Sequence, residues 1–465
     1  MLFQATLHCA RCARTRAGKL RLAGVPGLLG LFSITAATNV AVLAVNLGGG
    51  IAQARALGPD GRGELTVAML WPYLIAGLGG LGMREAVAYR TAREGPGRSQ
   101  VLATALAIGV AQTLVMALLA WMLLPAVLQG KPPRLLSETM FFLWVLPLFP
   151  LTFYPQGFFQ GRMAMRAFNA TLLSVSGTST AILVVLWALH RLTVHTALAA
   201  NLASWALTAA LAFAILGTRS DWAWKPSMRL ARPLLWFGIR QQIGSATVIV
   251  LEQRVDLLVL SLVVPAGALG TYAVAGSAGM VASSLPMGAS FVLYPLFARQ
   301  SEASFPSALA RFLVIAGMLT MLAGPVFVVL LPLAVPYVFG PGFAQAAPLT
   351  ALLSVGYLAR GWNLMLSSVI QGAGRPFTAS IGQAVEFVVL AGLLVALVPR
   401  MGVVGGALSV VLGAAVSFIV LLVAALFVGR LTPGRLVMVW ISQIRRWRQR
   451  HSTSQRGRRA GVRDP

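Results

Sequence analysis

Charge is scarce in this sequence, and negative charge is the scarcest. Only 10% of the 465 residues are charged, and aspartate and glutamate together number 11. A soluble globular domain normally carries charge on about a quarter of its residues. Hydrophobic residues instead make up 58% of the chain, so the composition predicts an integral membrane protein and excludes an ordinary soluble domain.

Cysteine and the common catalytic motifs are also lacking. Cys9 and Cys12 are the two cysteines, which excludes a disulfide framework. The group His8-Cys9-x-x-Cys12 has no second pair of ligands, as a structural zinc site would need, so no metal site is predicted. The sequence contains neither a Walker phosphate-binding loop nor a Gly-x-Ser-x-Gly nucleophile motif. We therefore predict no enzymatic activity and no cofactor.

Long apolar runs, separated by short polar loops, fill most of the chain. A bilayer core of about 30 Å requires about 20 apolar residues in each spanning helix. The sequence predicts an all-α, polytopic membrane protein with about twelve transmembrane helices, at 28–52, 65–89, 101–128, 139–160, 168–190, 195–217, 235–262, 270–297, 308–338, 346–371, 379–398 and 403–428.

The net charge of +26 could indicate a nucleic-acid partner, but the positions of the charges argue against one. Most lysines and arginines lie in the two tails and in alternate loops, as the positive-inside rule requires. This places both termini in the cytoplasm and the protein in the cell membrane. The predicted organisation is a basic tail (1–27), a six-helix bundle (28–218), a cytoplasmic linker (219–234), a second six-helix bundle (235–429) and a basic tail (430–465).

Two short motifs recur half a chain apart. The turn at 58–63 (GPDGRG) matches the turn at 264–270 (VPAGALG), with Pro59 paired with Pro265 at an offset of 206 residues (265 minus 59). The segment 159–162 (FQGR) matches 370–375 (IQGAGR), with Gln160 paired with Gln371 at an offset of 211 (371 minus 160). Two matches in register predict a parallel internal repeat of six helices, which in transporters places the substrate site between the halves.

These motifs also carry a family resemblance. From about residue 28 to residue 430, the chain resembles the polysaccharide-biosynthesis flippases of the multidrug/oligosaccharidyl-lipid/polysaccharide (MOP) flippase superfamily. The resemblance rests on the two loops at 159–162 and 370–375, together with the segments 57–64 (LGPDGRGE), 82–86 (GMREA), 254–256 (RVD) and 337–343 (YVFGPGF). It implies a V-shaped pair of six-helix bundles, an alternating-access cycle and a lipid-linked saccharide as cargo.

Ionisable residues inside predicted helices are the candidate site residues. Each is costly within a bilayer and normally faces a bundle interior or an aqueous cavity. Arg84 and Glu85 lie near the cytoplasmic end of the second helix, where we favour an interfacial anchor, and as neighbours they should not pair with each other. The stronger candidates for binding an anionic substrate are Arg240, Glu252, Arg254, Asp256 and Arg360.

Alternative roles stay open for these residues. Glu252 and Asp256 are four residues apart and should share a helix face, while Arg254 should point elsewhere; they either line the cavity or form interhelical ion pairs. Arg240 either meets a lipid pyrophosphate or extends to the headgroups. Arg360 could bind phosphate in a bidentate manner. Glu386 is either an acid that couples transport to an ion (proton or sodium) or part of a core hydrogen bond.

The sequence therefore predicts a flippase for a polyprenyl-phosphate- or pyrophosphate-linked oligosaccharide, with membrane lipids as its surroundings. A multidrug cation antiporter of the same superfamily is the alternative, but it would need acidic residues in the cavity. A membrane glycosyltransferase or ligase would be expected to carry a large outer loop, and the predicted outer loops are short.

Overall fold

The computed structural model describes residues 25–93, 98–218, 224–252, 254–298, 300–301 and 303–431, and within them it is helical without strands. The helices are α1 (Val25–Gly79), α2 (Met83–Arg93), α3 (Arg98–Val127), α4 (Pro133–Phe142), α5 (Val145–Gly161), α6 (Met165–Ala188), α7 (Val194–Gly217), α8 (Met228–Glu252), α9 (Val255–Val263), α10 (Ala266–Gly279), α11 (Ser284–Ala298), α12 (Phe305–Phe339), α13 (Ala346–Gly372) and α14 (Pro376–Val428). Residues 1–24 and 432–465, which include His8, Cys9, Cys12 and nearly all of the two predicted tails, lie outside the described residues.

Two glycines turn a continuous helical stretch back on itself. Gly58 (φ 66°) and Gly402 (φ 55°) both have a left-handed backbone, which residues with a side chain rarely adopt. In α14, Gly405 approaches the carbonyl of Leu397, although eight residues of straight helix would separate the two by about 12 Å. We therefore divide α1 into α1a (25–57) and α1b (59–79), and α14 into α14a (376–401) and α14b (403–428).

The reversal at Gly58 corrects one sequence prediction. The sequence predicts a loop over 53–64, but α1a continues to residue 57 and α1b begins at residue 59. Arg62, placed by the sequence in that loop, lies in α1b and donates a hydrogen bond back to Gln53 in α1a. A single glycine is enough for the turn because it has no side chain to accommodate. The two helices are therefore separated by one residue, and not by the longer loop that the polar residues predict.

Seven of the described helical stretches are long and apolar enough to span a bilayer, and α10 with α11 gives an eighth as one span bent by 46°. Two of the seven, α1 and α14, each contain two passes. Together with α8–α9 and α13, the described chain makes twelve helical passes, as the sequence predicts. Four passes that the sequence predicts to be continuous are interrupted, at 80–82, 143–144, 254 and 280–283.

The internal repeat is visible in the hydrogen bonds of its second pair of motifs. After α5, the amides of Arg162, Met163 and Ala164 donate to the carbonyls of residues 158, 160 and 159. After α13, the amides of residues 373, 374 and 375 donate to those of residues 369, 371 and 370 in the same pattern. Gly161 approaches the carbonyl of Ala88, and Gly372 approaches that of Tyr294. The two halves are therefore built alike.

The first pair of motifs packs together where the two halves meet. Gly63 lies against the carbonyl of Ala266, and Gly270 lies against that of Pro59. Arg55 adds hydrogen bonds from Nε to the carbonyl of residue 338 (2.8 Å) and from Nη2 to that of residue 337 (2.5 Å). We call this contact, formed by residues 54–63, 264–270 and 336–343, the closed face. The two bundles are joined tightly there.

The pass that follows the first bundle, formed by α8 and α9, packs against both bundles. The first half of α8 packs on α2 and α3 of the first bundle, whereas α9 packs on α14 of the second. Gly82 and Gly238 approach each other backbone to backbone, and the rings of Tyr89 and Phe237 stack at 4.3 Å between centroids. The helix changes direction around residue 254, so this pass contacts both bundles.

Candidate substrate cavity

A polar cavity of about 370 Å³ lies at the junction of the two bundles. The first bundle contributes both arms of α1 together with α6 and α7, and the second contributes residue 254, α9 and α10. Uncharged hydrogen-bonding side chains dominate its wall: Asn46, Gln53, Thr66, Tyr73, Ser179, Thr180, Asn201 and Ser277. Such a wall can hold a polar ligand that a lipid environment would reject.

Arg62 reaches this cavity because of the turn at Gly58. The turn places Arg62 in the first part of α1b, directly opposite Gln53 of α1a, whose side-chain oxygen accepts its hydrogen bond. The Nε of Arg62 is buried and has no hydrogen-bond partner among the described residues. Its guanidinium therefore lines the cavity, and it makes no ion pair with a described carboxylate.

Arg254 reaches the same cavity from the other bundle. Its own backbone is left-handed (φ 57°), at the point where α8 ends and α9 begins. The guanidinium lies flat against Gly276 of α10, where an added Cβ would be 2.7 Å from Nη1. Nη2 donates to Oδ2 of Asp256 at 3.1 Å, and that oxygen also accepts from the hydroxyl of Tyr272 at 2.8 Å. The strained backbone is therefore held by an ordered polar cluster.

The two arginines leave the cavity with an excess of positive charge. Of the described residues that line it, Arg62 and Arg254 are the charged ones, and their charges repel each other. Asp256 is buried behind Arg254, with a side chain only 1% exposed. Among the described side chains at this site, one carboxylate balances two guanidinium groups, and a bound anion would relieve the imbalance.

Arg360 and Glu386 form a second cluster that does not line this cavity. Arg360 Nε donates to Glu386 Oε1 at 2.6 Å, and Asn363 Nδ2 donates to Oε2 at 3.2 Å. The Arg360 and Glu386 side chains are 17% and 7% exposed, so the pair lies inside the second bundle between α13 and α14a. Tyr357 lies within electrostatic range of both Arg254 and Arg360, which places the two clusters near each other.

Arg240 does not join either cluster in the described structure. Arg240 is exposed, with its guanidinium carbon 4.4 Å from the centre of the Trp236 ring on the same helix. Glu252 is the last residue of α8, and its side chain lies outside the described residues. Because α8 ends there and α9 begins at Val255, Glu252 and Asp256 belong to different helices, and the predicted shared face is wrong.

Two predicted relationships between neighbouring charges are also corrected. The sequence predicts that Arg254 points away from Asp256, but the break in the helix brings them together. It also predicts no pairing of Arg84 with Glu85, yet Arg84 Nε lies 3.5 Å from Glu85 Oε1, with both side chains more than a third exposed. Long flexible side chains on an exposed helix end can fold towards each other, and such a pair contributes little to stability.

Comparison with known proteins places this geometry in a family. A family model described as "Polysaccharide biosynthesis protein" matches residues 30–301, which is more than half of the chain. The chain belongs to this family. The match covers the first bundle and the second as far as α11, including Arg62, Arg254 and Asp256. No curated protein sequence matches the chain significantly.

Solved structures similar in fold to this family member include a transporter described as belonging to the MOP superfamily. An inward-facing multidrug resistance MATE family transporter gives a TM-score of 0.62 at 16% identity, covering 87% of this chain and 98% of that one. The MATE multidrug transporter DinF-BH gives 0.62 at 17%, covering 89% and 99%. The lipid II flippase MurJ in an inward closed conformation gives 0.60 at 14%, covering 89% and 90%. At these identities the likeness is one of fold, and it confirms the two-bundle architecture.

Proposed function

We propose that this protein moves a polyprenyl-phosphate- or pyrophosphate-linked saccharide from the inner to the outer leaflet of the cell membrane by alternating access. The observation that carries the proposal is the junction cavity, whose charged lining among the described residues consists of Arg62 and Arg254. A phosphate or pyrophosphate would supply the negative charge that this pair lacks.

Guanidinium chemistry suits this ligand. Arginine stays charged at any physiological pH and binds two phosphate oxygens at once through parallel N–H donors. Arg62 comes from the first bundle and Arg254 from the second, so one phosphate group could contact both. A ligand shifts a conformational equilibrium only when it binds one state better than the other. A site shared between the bundles meets that condition, because moving the bundles apart separates the arginines.

The rest of the cavity suits a saccharide. Asn46, Asn201 and Gln53 offer amide donors and acceptors, and the hydroxyls of Thr66 and Ser179 lie on the same wall. Sugar hydroxyls need both donors and acceptors, which this set of side chains provides. Transport requires no covalent step, and we assign no catalytic residue.

An organic-cation antiporter fits this cavity less well. A cation would meet two guanidinium groups, and the carboxylates of Asp256 and Glu386 are already engaged. Asp256 is hydrogen-bonded to Arg254 and Tyr272, and Glu386 is hydrogen-bonded to Arg360. For the same reason we propose that Glu386 couples transport to a proton or sodium ion only if the Arg360 pair opens during the cycle.

An even number of passes places both ends of the described chain on one side of the membrane. Both ends of the described chain lie on the face opposite the closed face, and the basic tails that continue from them favour the cytoplasm. In this arrangement the closed face is extracellular, so the cavity would receive cargo from the inner leaflet.

The proposal is tested by reconstituting the full chain in liposomes with a fluorescent polyprenyl-pyrophosphate-linked saccharide in one leaflet and following its appearance in the other. Arg62→Gln should slow transfer by at least about tenfold, since charge-assisted hydrogen bonds contribute about 1.5–3 kcal/mol each. Arg62→Lys keeps the charge and should retain an intermediate rate. Arg254→Gln is made together with Asp256→Asn, because the single change would leave a buried carboxylate unpaired.

Arg134→Gln is the matched control, since Arg134 is an exposed arginine outside the cavity. The proposal would be contradicted if the Arg62→Gln variant and the Arg254→Gln/Asp256→Asn double variant both transferred the saccharide at the unaltered rate. If the protein instead moved an ethidium-type cation and Arg62→Gln left that activity intact, the antiporter would be the correct assignment.

A further inference from the structure

A long apolar groove separates two consecutive helices of the second bundle. Helices α11 and α12 barely touch each other, because both pack on α13 instead. The space between them has a volume of about 960 Å³ and is lined mainly by aliphatic and aromatic side chains of these three helices. Val292, Leu296, Leu319 and Leu322 are among the lining residues and are largely exposed.

The groove has a polar mouth at one end. Gln300, Ser304, Ser307 and Arg311 line it where α11 gives way to α12, on the face opposite the closed face. Arg311 is exposed and makes no side-chain hydrogen bond or ion pair with the described residues. Among the described residues that line the groove, Arg311 is the charged one, so the described part of the mouth is positive.

The groove is as long as the bilayer is thick. Its lining along α12 runs from Ser304 to Phe327, which at 1.5 Å per residue corresponds to about 35 Å. The hydrocarbon core of a bilayer is about 30 Å thick. One acyl chain of a phospholipid crosses a single leaflet, so it would fill about half of the groove.

The first bundle has no equivalent groove among its described residues. The repeat relates α11 to α2 and α12 to α3, but α2 and α3 contact each other, and α8 packs over both. The stacked pair of Tyr89 and Phe237 lies in that contact. The open groove is therefore a specific feature of the second half and not a consequence of the shared architecture.

We propose that this groove holds the hydrocarbon chain of a long polyprenyl phosphate, with the phosphate bound by Arg311 at the mouth. The site deepens the proposed function and rests on it, since it would hold the lipid and phosphate of the cargo before the phosphate moves to Arg62 and Arg254 in the junction cavity. Three observations support it: the positive charge at the mouth, the apolar wall, and a length that exceeds a phospholipid chain.

Binding to the purified full chain in nanodiscs tests the site, with a fluorescent polyprenyl monophosphate of about eleven isoprene units as the probe. Arg311→Gln removes the charge at the mouth and should weaken binding by about tenfold, as expected for a lost charge-assisted hydrogen bond. Leu319→Trp fills the groove and should weaken binding to a similar degree. Unlabelled polyprenyl phosphate should displace the probe, whereas the uncharged polyprenyl alcohol of equal length and dioleoyl phosphatidic acid should each compete at least about tenfold more weakly.

Matched controls separate the groove from general effects. Leu330→Trp alters an exposed leucine of α12 outside the groove, and Arg229→Gln removes an exposed arginine at the start of α8. Both should bind the probe as the unaltered protein does. Unchanged binding in the Arg311→Gln and Leu319→Trp variants would overturn the proposal, and so would equal competition by phosphatidic acid, which would indicate a site for ordinary anionic lipids.

The two proposals fail in different ways. If the groove does not bind the chain, the groove variants bind the probe normally, while transfer of the lipid-linked saccharide still depends on Arg62. If the proposed function is wrong, no saccharide is transferred, although the probe can still bind in a manner that depends on Arg311.

Discussion

Gly63 of the first bundle lies directly against the carbonyl oxygen of Ala266 in the second, with no room for even a methyl group between them. The repeat produces the reciprocal contact of Gly270 with Pro59. Backbones that approach this closely depend on glycine on one side of each contact. These close backbone contacts therefore help to hold the two bundles together at the closed face.

Gly63→Ala should shift the protein towards a conformation that is open at the closed face. An added Cβ would overlap the Ala266 carbonyl, a backbone atom that cannot move by changing a rotamer. The shift is measured by maleimide labelling of an Ala54→Cys variant, since Ala54 is 1% exposed in the present conformation. Cys9 and Cys12 are first replaced by serine. Labelling should become several-fold faster when Gly63→Ala is added.

The control for this prediction is Gly177→Ala. Gly177 lies in α6 and has no atom within 4 Å of its added Cβ, so the substitution changes helix propensity without creating a clash. Its labelling rate should match that of the unaltered protein. Equal labelling of the Gly63 and Gly177 variants would mean that the close contact does not hold the face closed.

Arg55→Gln should open the same face by a different route. The substitution removes two hydrogen bonds, at 2.8 Å and 2.5 Å, from Arg55 to backbone carbonyls at the end of α12. Because Arg55 is exposed, we expect a smaller effect than at Gly63, about twofold in the labelling rate at position 54. Arg134→Gln, at an exposed arginine with no such contact, should have none. A rate unchanged by Arg55→Gln would show that these bonds are incidental.

The repeat and the number of passes could be predicted because they depend on apolar length and on turns at fixed offsets. The breaks within the helical passes could not be predicted. Arg254 interrupts a segment whose hydropathy predicts one continuous helix. Glu252, Arg254 and Asp256 are only three charges among many apolar residues, so they do not indicate a break. Non-glycine residues seldom adopt a left-handed backbone, and nothing local in the sequence marks this one. Its conformation is stabilised by tertiary contacts with Gly276 and Asp256.

The cavity arginine that sequence reasoning missed illustrates the same limit. Arg62 follows a Gly-Pro turn, and the polar and small residues around it resemble a loop. The partner turn gave no better signal, since the sequence predicts a helix from residue 270 where α10 begins at Ala266. The available signal is Pro59 itself, because proline is common in the first turn of a helix. Arg254 and Asp256 could be predicted as polar residues of one pass, but their pairing required the helix break.

The placement of both termini in the cytoplasm is open to a direct test. A His190→Cys variant, altered between α6 and α7, should react with a membrane-impermeant maleimide added outside intact cells. A Gly374→Cys variant, altered between α13 and α14, should react only after the cells are permeabilised. This follows because the two loops lie on opposite faces after an odd number of passes between them. External labelling at position 374 in intact cells would reverse the topology.

Glu386→Gln separates a structural role of the Arg360 pair from a role in ion coupling. The variant leaves a buried guanidinium without its carboxylate, which costs about 3–5 kcal/mol in comparable buried pairs, so its apparent Tm in detergent should fall. Adding Arg360→Met removes the unpaired charge and should recover most of that loss.

Transfer of the lipid-linked saccharide is then measured in liposomes with and without a pH or sodium gradient. If the pair is structural, the stable double variant keeps its response to the gradient. If Glu386 carries the coupling ion, the double variant keeps its fold but transfers at one rate in all conditions, which would contradict a purely structural role.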